Sequence, residues 1–166
     1  MKNALSRYLI YVVYFLGIGM VSSGIVLMPF NAIRYGIILA VGLLLFSTGS
    51  FINEVVLDKK QLTITQRIKL IVVSLTLAIG IGMISGGIAH FKESPTYVTY
   101  LIPLGIVISF VSFLIKHSFK LTKKESLWTA TLLLLIALST HTGLSLAANA
   151  MNVINDGGDI FKGHGM

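Results

Sequence analysis

Residues 68–91 read IKLIVVSLTLAIGIGMISGGIAHF, a long apolar run in which the only Lys, Arg, Asp or Glu is Lys69, near its start. A helix needs about 20 mostly apolar residues to cross the hydrocarbon core of a bilayer. The run is long enough, and the rest of the chain repeats its pattern, because charged residues collect in short clusters between apolar stretches. We therefore predict that residues 68–91 form a transmembrane helix.

Composition excludes an ordinary water-soluble domain. Of the 166 residues, 55% are hydrophobic and only 11% are charged, and the mean hydropathy is +0.88. Such values are typical of membrane proteins. Since the chain contains no cysteine, disulfides, cysteine-ligated iron–sulfur clusters and thiol nucleophiles are also excluded.

The sequence predicts an all-α integral membrane protein with five transmembrane helices, forming a single polytopic membrane domain over residues 1–166. The predicted spans are about 7–28, 33–57, 68–91, 96–115 and 127–148. Residues 149–166 form a polar tail. The first apolar run is longer than the roughly 7–15 residues of a signal peptide and no small-residue cleavage site follows it, so we expect the first span to be retained.

The lysines and arginines predict the orientation, because basic residues near span ends stay on the cytoplasmic side. Ten fall on one side of the five-span arrangement: Lys2, Arg7, Lys59, Lys60, Arg67, Lys69, Lys116, Lys120, Lys123 and Lys124. Three fall on the other: Arg34, Lys92 and Lys162. We expect a cytoplasmic amino terminus and an outer carboxyl terminus, in the plasma membrane of a prokaryote. The net charge of +7 then follows from topology, and no nucleic acid is needed to explain it.

Two segments of the chain are nearly identical. Residues 17–25 read GIGMVSSGI and residues 80–88 read GIGMISGGI, with seven of nine positions the same at an offset of 63, and that offset also carries Gly42 onto Gly105. We interpret this as a duplicated two-helix unit, about 12–53 and 75–116, followed by a fifth helix. Each unit holds two spans, so the repeat is parallel rather than inverted.

Glycines within the spans predict close contacts between helices, because transmembrane helices associate where small residues let backbones approach. The predicted packing glycines are Gly17, Gly24, Gly42, Gly49, Gly80, Gly82, Gly86 and Gly87. An alternative is an unwound stretch that binds an ion or substrate through its carbonyls. The absence of proline and acidic residues near these glycines disfavours that alternative.

Span five carries a polar face. His141, Ser145, Asn149 and Asn152 follow one another in steps of four, four and three residues, which places them on one side of a helix. Polar side chains are unfavourable against lipid, so this face should meet another helix, a partner subunit or a water-filled pocket. A hydrogen-bonded contact between helices is the interpretation we favour.

Three of the four histidines belong to the predicted outer side, which allows a second interpretation. A metal site there would use His90 and His141, with His164 and Met166 as additions from the tail. Imidazole and thioether ligands suit copper, and two histidines on helices also suit a b-type haem. Copper is the first expectation and haem b the second.

Catalytic motifs are missing from the sequence. It contains no G-x-S-x-G, H-E-x-x-H or G-x-x-x-x-G-K pattern and no pair of membrane-facing carboxylates. We therefore expect a small non-catalytic accessory or scaffold subunit, packed by glycine-rich helix faces within a larger membrane complex. Its partners would be the lipid bilayer and other membrane subunits or copies of itself. The alternatives are a small channel or transporter, and an outer-face copper- or haem-binding component of a membrane redox complex.

Overall fold

The computed structural model describes residues 2–53 and 63–154, with side chains for residues 4–53 and 63–151. Those residues form five α-helices: α1 (Lys2–Leu27), α2 (Ala32–Phe51), α3 (Ile64–Ala89), α4 (Pro95–Lys116) and α5 (Lys123–Ile154). Each helix is long and apolar enough to cross a membrane. The prediction of an all-α chain with five long apolar helices is confirmed.

Several helices begin before the apolar runs that predicted them. α3 begins at Ile64 rather than at residue 68, because Thr63 and Gln66 form a capping box in which each side chain accepts from the other's backbone N–H. The same exchange between Thr122 and Glu125 precedes the apolar part of α5. Hydropathy marks the segment that suits lipid, whereas polar caps set where a helix starts.

The five helices are arranged around a central pair. α1 packs on α2, α3 packs on α4, and α1 and α3 pack against each other between them, while α5 packs mainly against α4. The buried core lies where α1, α3 and α4 meet, and its residues are Val26, Met83, Val98, Leu101 and Ile102. We call the end where α1 begins and where α2 and α4 finish the inner end, because the basic residues predict that it is cytoplasmic.

Large apolar side chains cover the outside of the bundle. Leu44 is 69% exposed, Leu127 is 69% exposed and Leu146 is 72% exposed. Continuous apolar surface of this kind is unfavourable in water, and lipid would solvate it. The surface is consistent with an integral membrane protein.

Candidate functional site

Helices α1 and α2 form a first helical hairpin, and α3 and α4 form a second. Glycines at the α1–α2 contact allow the two helices of the first hairpin to pack closely. A Cβ atom added to Gly17 would lie 2.5 Å from the backbone nitrogen of Phe46. One added to Gly24 would lie 2.8 Å from Cβ of Leu39. Both distances are too short for real carbon contacts, so only glycine permits this separation of α1 and α2.

The second hairpin has the same contacts, 63 residues later. A Cβ atom at Gly80 would lie 2.6 Å from the backbone nitrogen of Ser109, and one at Gly87 would lie 2.7 Å from Cγ1 of Ile102. Adding 63 to Gly17, Phe46, Gly24 and Leu39 gives these same four positions. The two hairpins therefore pack in one register.

Glycines on the second helix of each hairpin also contact the first helix, and these contacts are again 63 residues apart in the chain. A Cβ atom at Gly42 would lie 2.8 Å from Cβ of Met20, and one at Gly105 would lie 2.9 Å from Cβ of Met83. Gly49 also packs closely, with its Cβ position 3.1 Å from Tyr14. These are the contacts that small residues make possible in membranes.

The central α1–α3 contact joins equivalent positions of the two hairpins. The hydroxyl oxygens of Ser22 and Ser85 lie 3.1 Å apart, and these residues are themselves separated by 63 in the chain. Gly86 sits beside this pair, since a Cβ atom there would lie 2.6 Å from Cγ2 of Val26 and 2.7 Å from the Ser22 carbonyl. The contact at Gly82 is less close, since a Cβ atom there would lie 3.1 Å from Cγ1 of Val21.

Some glycines have open space around them. A Cβ atom at Gly19, Gly36 or Gly143 would meet no atom within 4 Å outside its own stretch of helix. Gly19 is the offset equivalent of Gly82, so the repeat is not matched at every position. These three glycines identify surfaces to which no described part of the chain packs closely.

His141 joins α5 to α4 through a backbone acceptor. Its Nδ1 lies 2.9 Å from the carbonyl oxygen of Thr99, and since a carbonyl only accepts, Nδ1 carries the proton. In an unbroken helix this carbonyl would accept from the N–H of residue 103, but Pro103 has none. The imidazole therefore satisfies an acceptor that proline leaves unpaired, and its ring centre lies 4.9 Å from that of Tyr100.

Pro103 and Thr99 are not among the site residues predicted from the sequence. The available signal was a proline within span four, which leaves the carbonyl four residues earlier without its helical donor. That rule points to Thr99. Nothing in the sequence shows that His141, 42 residues further along, supplies the missing hydrogen.

The polar face of α5 continues beyond His141 and becomes exposed at its far end. Ser145 is half-buried, whereas Asn149 is exposed. Since the two helices are antiparallel and His141 lies opposite Thr99, α5 passes the beginning of α4 at Pro95 about one turn later. The side chain of Asn152 lies outside those described.

The predicted metal ligands are placed only in part. His90 follows α3, and its Nδ1 lies 3.2 Å from Oε1 of Glu93. His164 and Met166 lie outside the described residues. Within the residues that are described, no group of three or more His, Cys, Asp or Glu side chains is close enough to hold a metal ion.

Comparisons with known proteins assign no relationship. No protein-family model, curated protein or solved structure matches this chain. The helix contacts and the surfaces that they leave uncovered are therefore the features that bear on function.

Proposed function

We propose that this protein is a small non-catalytic accessory or scaffold subunit of a larger membrane complex. The observation that carries the proposal is a surface on α2 that remains open although its equivalent on α4 is covered by α5. We further propose that the two hairpins arose by duplication of one two-helix unit, and that the fifth helix is an addition to it.

The offset of 63 identifies the open surface. Thr99 and Pro103 are buried on the side of α4 that meets α5. The residues 63 positions earlier in the chain are Gly36 and Ala40, which lie on α2. Ala40 is exposed, and Gly36 has open space where a side chain would be. Small residues four apart on a membrane-facing helix are suited to close approach by another helix.

α5 presents a second uncovered surface. Ser139, Gly143 and Ala147 follow one another at steps of four and are all exposed. Gly143 is two residues beyond His141, a rotation of about 200° around the helix, so this surface points away from α4. Asn149 is exposed near the end of the same candidate span, and a polar side chain of this kind favours a protein neighbour over lipid.

The proposed placement has the amino terminus in the cytoplasm and the carboxyl terminus outside, within a prokaryotic plasma membrane. The basic residues support it, ten against three, across the five candidate spans. In this placement Gly36 of α2 and His141 of α5 are both in the outer half of the membrane. The two open surfaces therefore offer contacts at similar depth.

Isolation under mild detergent tests the proposal. The wild-type chain should purify with other membrane subunits or as a defined oligomer. Gly36→Leu should release those partners while leaving the thermal stability of the isolated chain unchanged, because none of the described residues occupies that space. Gly19→Leu is the matched control, since Gly19 is equally open but lies on α1.

A wild-type chain that purifies as a monomer without partners would overturn the assembly proposal. Flux measured in proteoliposomes containing only this chain would instead favour the channel or transporter alternative. The two experiments separate a subunit whose role is contact from one that conducts a solute by itself.

A further inference from the structure

A helix of this chain already covers the surface of α4 that corresponds to the open surface of α2. The α4 surface has buried residues at steps of four, Pro95, Thr99 and Pro103, and His141 of α5 is hydrogen-bonded to the carbonyl of Thr99. The residues 63 positions earlier in the chain form a set on α2 that we call the α2 face: Ala32, Gly36 and Ala40. The second hairpin therefore indicates what kind of structure covers this surface, namely a transmembrane helix.

The α2 face has the shape that close approach of a helix requires. Ala32 and Ala40 are exposed, and Gly36 has open space where a side chain would be. Residues four apart lie on one side of a helix, so these three small residues form one continuous shallow strip. In membranes, such strips let the backbones of two helices come close together.

α5 carries a strip of small residues on the side that does not meet α4. We call Ser139, Gly143 and Ala147 the α5 face, and all three are exposed. A Cβ atom added to Gly143 would meet no atom within 4 Å outside its own stretch of helix. The side of α5 with His141 is used within the chain, so the α5 face is the side that α5 presents to a neighbour.

Equivalent residues of the two hairpins lie at one level along the bundle. The hydroxyl oxygens of Ser22 and Ser85 lie 3.1 Å apart although these residues are separated by 63 in the chain. The helices within each hairpin also pack in one register, as the glycine contacts show. Gly36 of α2 is therefore level with Thr99 of α4.

The α2 face and the α5 face come to matching depths when two copies share a membrane. His141 is level with Thr99, and therefore with Gly36. The basic residues give every copy the same orientation, so His141 of a second copy also lies at the level of Gly36. Ser139 and Gly143 then lie about 3 Å to either side of that level. The small residues of the two faces alternate along the membrane normal, so each strip lies opposite the other.

We propose that the α2 face binds the α5 face of a second copy of this chain. The inference rests on the proposed function, which has these surfaces meet a partner, and it names that partner. α2 and α5 cross the membrane in opposite directions, as α4 and α5 do, so the contact between copies has the same antiparallel form as the contact within one copy. A pairing of two α2 faces would leave both α5 faces uncovered. Because the two faces differ, each copy has two neighbours, and every face is covered only in a closed ring.

Disulfide cross-linking of the full-length chain in membranes tests this contact. The chain contains no cysteine, so an introduced thiol meets no other thiol of its own chain. Gly36→Cys and Gly143→Cys are made as two single variants with different tags, since both positions have open space. Co-expressed and oxidised, they should form a covalent pair that contains one copy of each. A disulfide requires Cα atoms about 4.4–6.8 Å apart, so the pair reports direct contact. A chain with both substitutions should form a ladder of two, three and more linked copies.

Ile88→Cys is the matched control for Gly36→Cys. Ile88 is 67% exposed and follows Gly87, which contacts Ile102 of α4, so it lies close to the same level but on α3. Co-expressed with Gly143→Cys, it should form no covalent pair. Should a glycine variant fail to fold, Ala40→Cys with Ser139→Cys repeats the test with little added volume, and it should also form mixed pairs.

The pattern of cross-links separates this contact from the other possible assemblies. Covalent pairs of Gly36→Cys alone, or of Gly143→Cys alone, would overturn the pairing of unlike faces. Equal cross-linking of Gly143→Cys to Ile88→Cys would mean random collision and would also overturn it. A chain that purifies with other subunits but forms no mixed pair would overturn this inference and leave the proposed function in place. A monomer without partners would overturn both.

Discussion

Nδ1 of His141 lies 2.9 Å from the carbonyl oxygen of Thr99, on a neighbouring helix. The contact compensates for Pro103, which has no N–H to offer the same carbonyl. Water would fill this role at a protein surface, but in the proposed membrane placement this carbonyl lies in hydrocarbon, which offers none. The hydrogen bond therefore fixes both the depth and the rotation of α5 against α4.

This relationship predicts that the effect of His141→Ala depends on Pro103. In the wild type, the substitution should lower the free energy of unfolding by about 1–3 kcal/mol, because it leaves a buried carbonyl without a partner. In a Pro103→Ala background the loss should be much smaller, since the restored N–H of residue 103 can bond to Thr99. Unfolding of the four proteins in detergent gives the coupling as a double-mutant cycle.

Thr142→Ala provides the control for that cycle. Thr142 follows His141 but is exposed, and its hydroxyl donates only to carbonyls of its own helix, at Leu138 and Ser139. It should show no coupling to Pro103→Ala. Equal losses from His141→Ala in both backgrounds would contradict the compensation argument.

Gly17 and Gly19 lie within one turn of α1, and we expect alanine to affect the free energy of unfolding differently at the two positions. Gly17→Ala should lower the free energy of unfolding by about 1–3 kcal/mol through overpacking, because the new Cβ would lie 2.5 Å from the backbone of Phe46. Gly19→Ala should be neutral or stabilising by up to about 1 kcal/mol, since alanine favours a helix over glycine. Thermal unfolding of both variants in the same detergent measures the difference. Similar effects of the two would contradict the α1–α2 packing.

The glycines also show what the sequence could and could not predict. The five apolar helices followed from composition and from the spacing of charges, and the register of the hairpins is already present in the offset of 63. Gly19 and Gly82 stand at equivalent places in nearly identical segments, yet only Gly82 has a close neighbour. Which face of a helix is covered depends on the whole arrangement, and local sequence does not contain that information. The contact between His141 and Thr99 could not be predicted from the sequence for the same reason.

The α1–α3 contact predicts a graded response to leucine. Gly86→Leu should destabilise most, because its new side chain would meet Val26 and the backbone at Ser22. Gly82→Leu should follow, since its nearest neighbour is the side chain of Val21, and overpacking at either position costs about 1–3 kcal/mol. Gly143→Leu is the control with open space around it. Unchanged thermal stability of the first two variants would rule out a close contact there.

Topology gives a prediction that is independent of packing. A reporter that is active only outside the cytoplasm should be active after Met166 and inactive when inserted between Ser118 and Thr122, in the connection from α4 to α5. A cytoplasmic reporter should give the opposite pattern. The reason is the asymmetry of ten basic residues against three. Cytoplasmic activity after Met166 would mean an inverted protein or an even number of crossings.

The outer histidines give the last prediction, and their hydrogen bonds make it specific. Nδ1 of His90 contacts the carboxylate of Glu93, and Nδ1 of His141 contacts a backbone carbonyl. Histidines that bind metals usually donate their second ring nitrogen to such an acceptor, so in each residue Nε2 is the nitrogen that would bind copper or haem. If the protein binds a metal, it should use these outer histidines, and elemental analysis and an absorption spectrum of gently purified protein would then show copper, or the bands of a b-type haem.

Matched variants decide whether these histidines are responsible. Where the wild type carries copper or haem, His90→Ala and His141→Ala should each reduce it, and removal of His164 and Met166 should weaken copper binding if the tail contributes ligands. Thr142→Ala should retain the wild-type content. The two histidines can share one ion only if Nε2 of each points to a common position between α3 and α5. Wild-type protein without metal or haem would leave His141 with one role, that of donor to the carbonyl of Thr99.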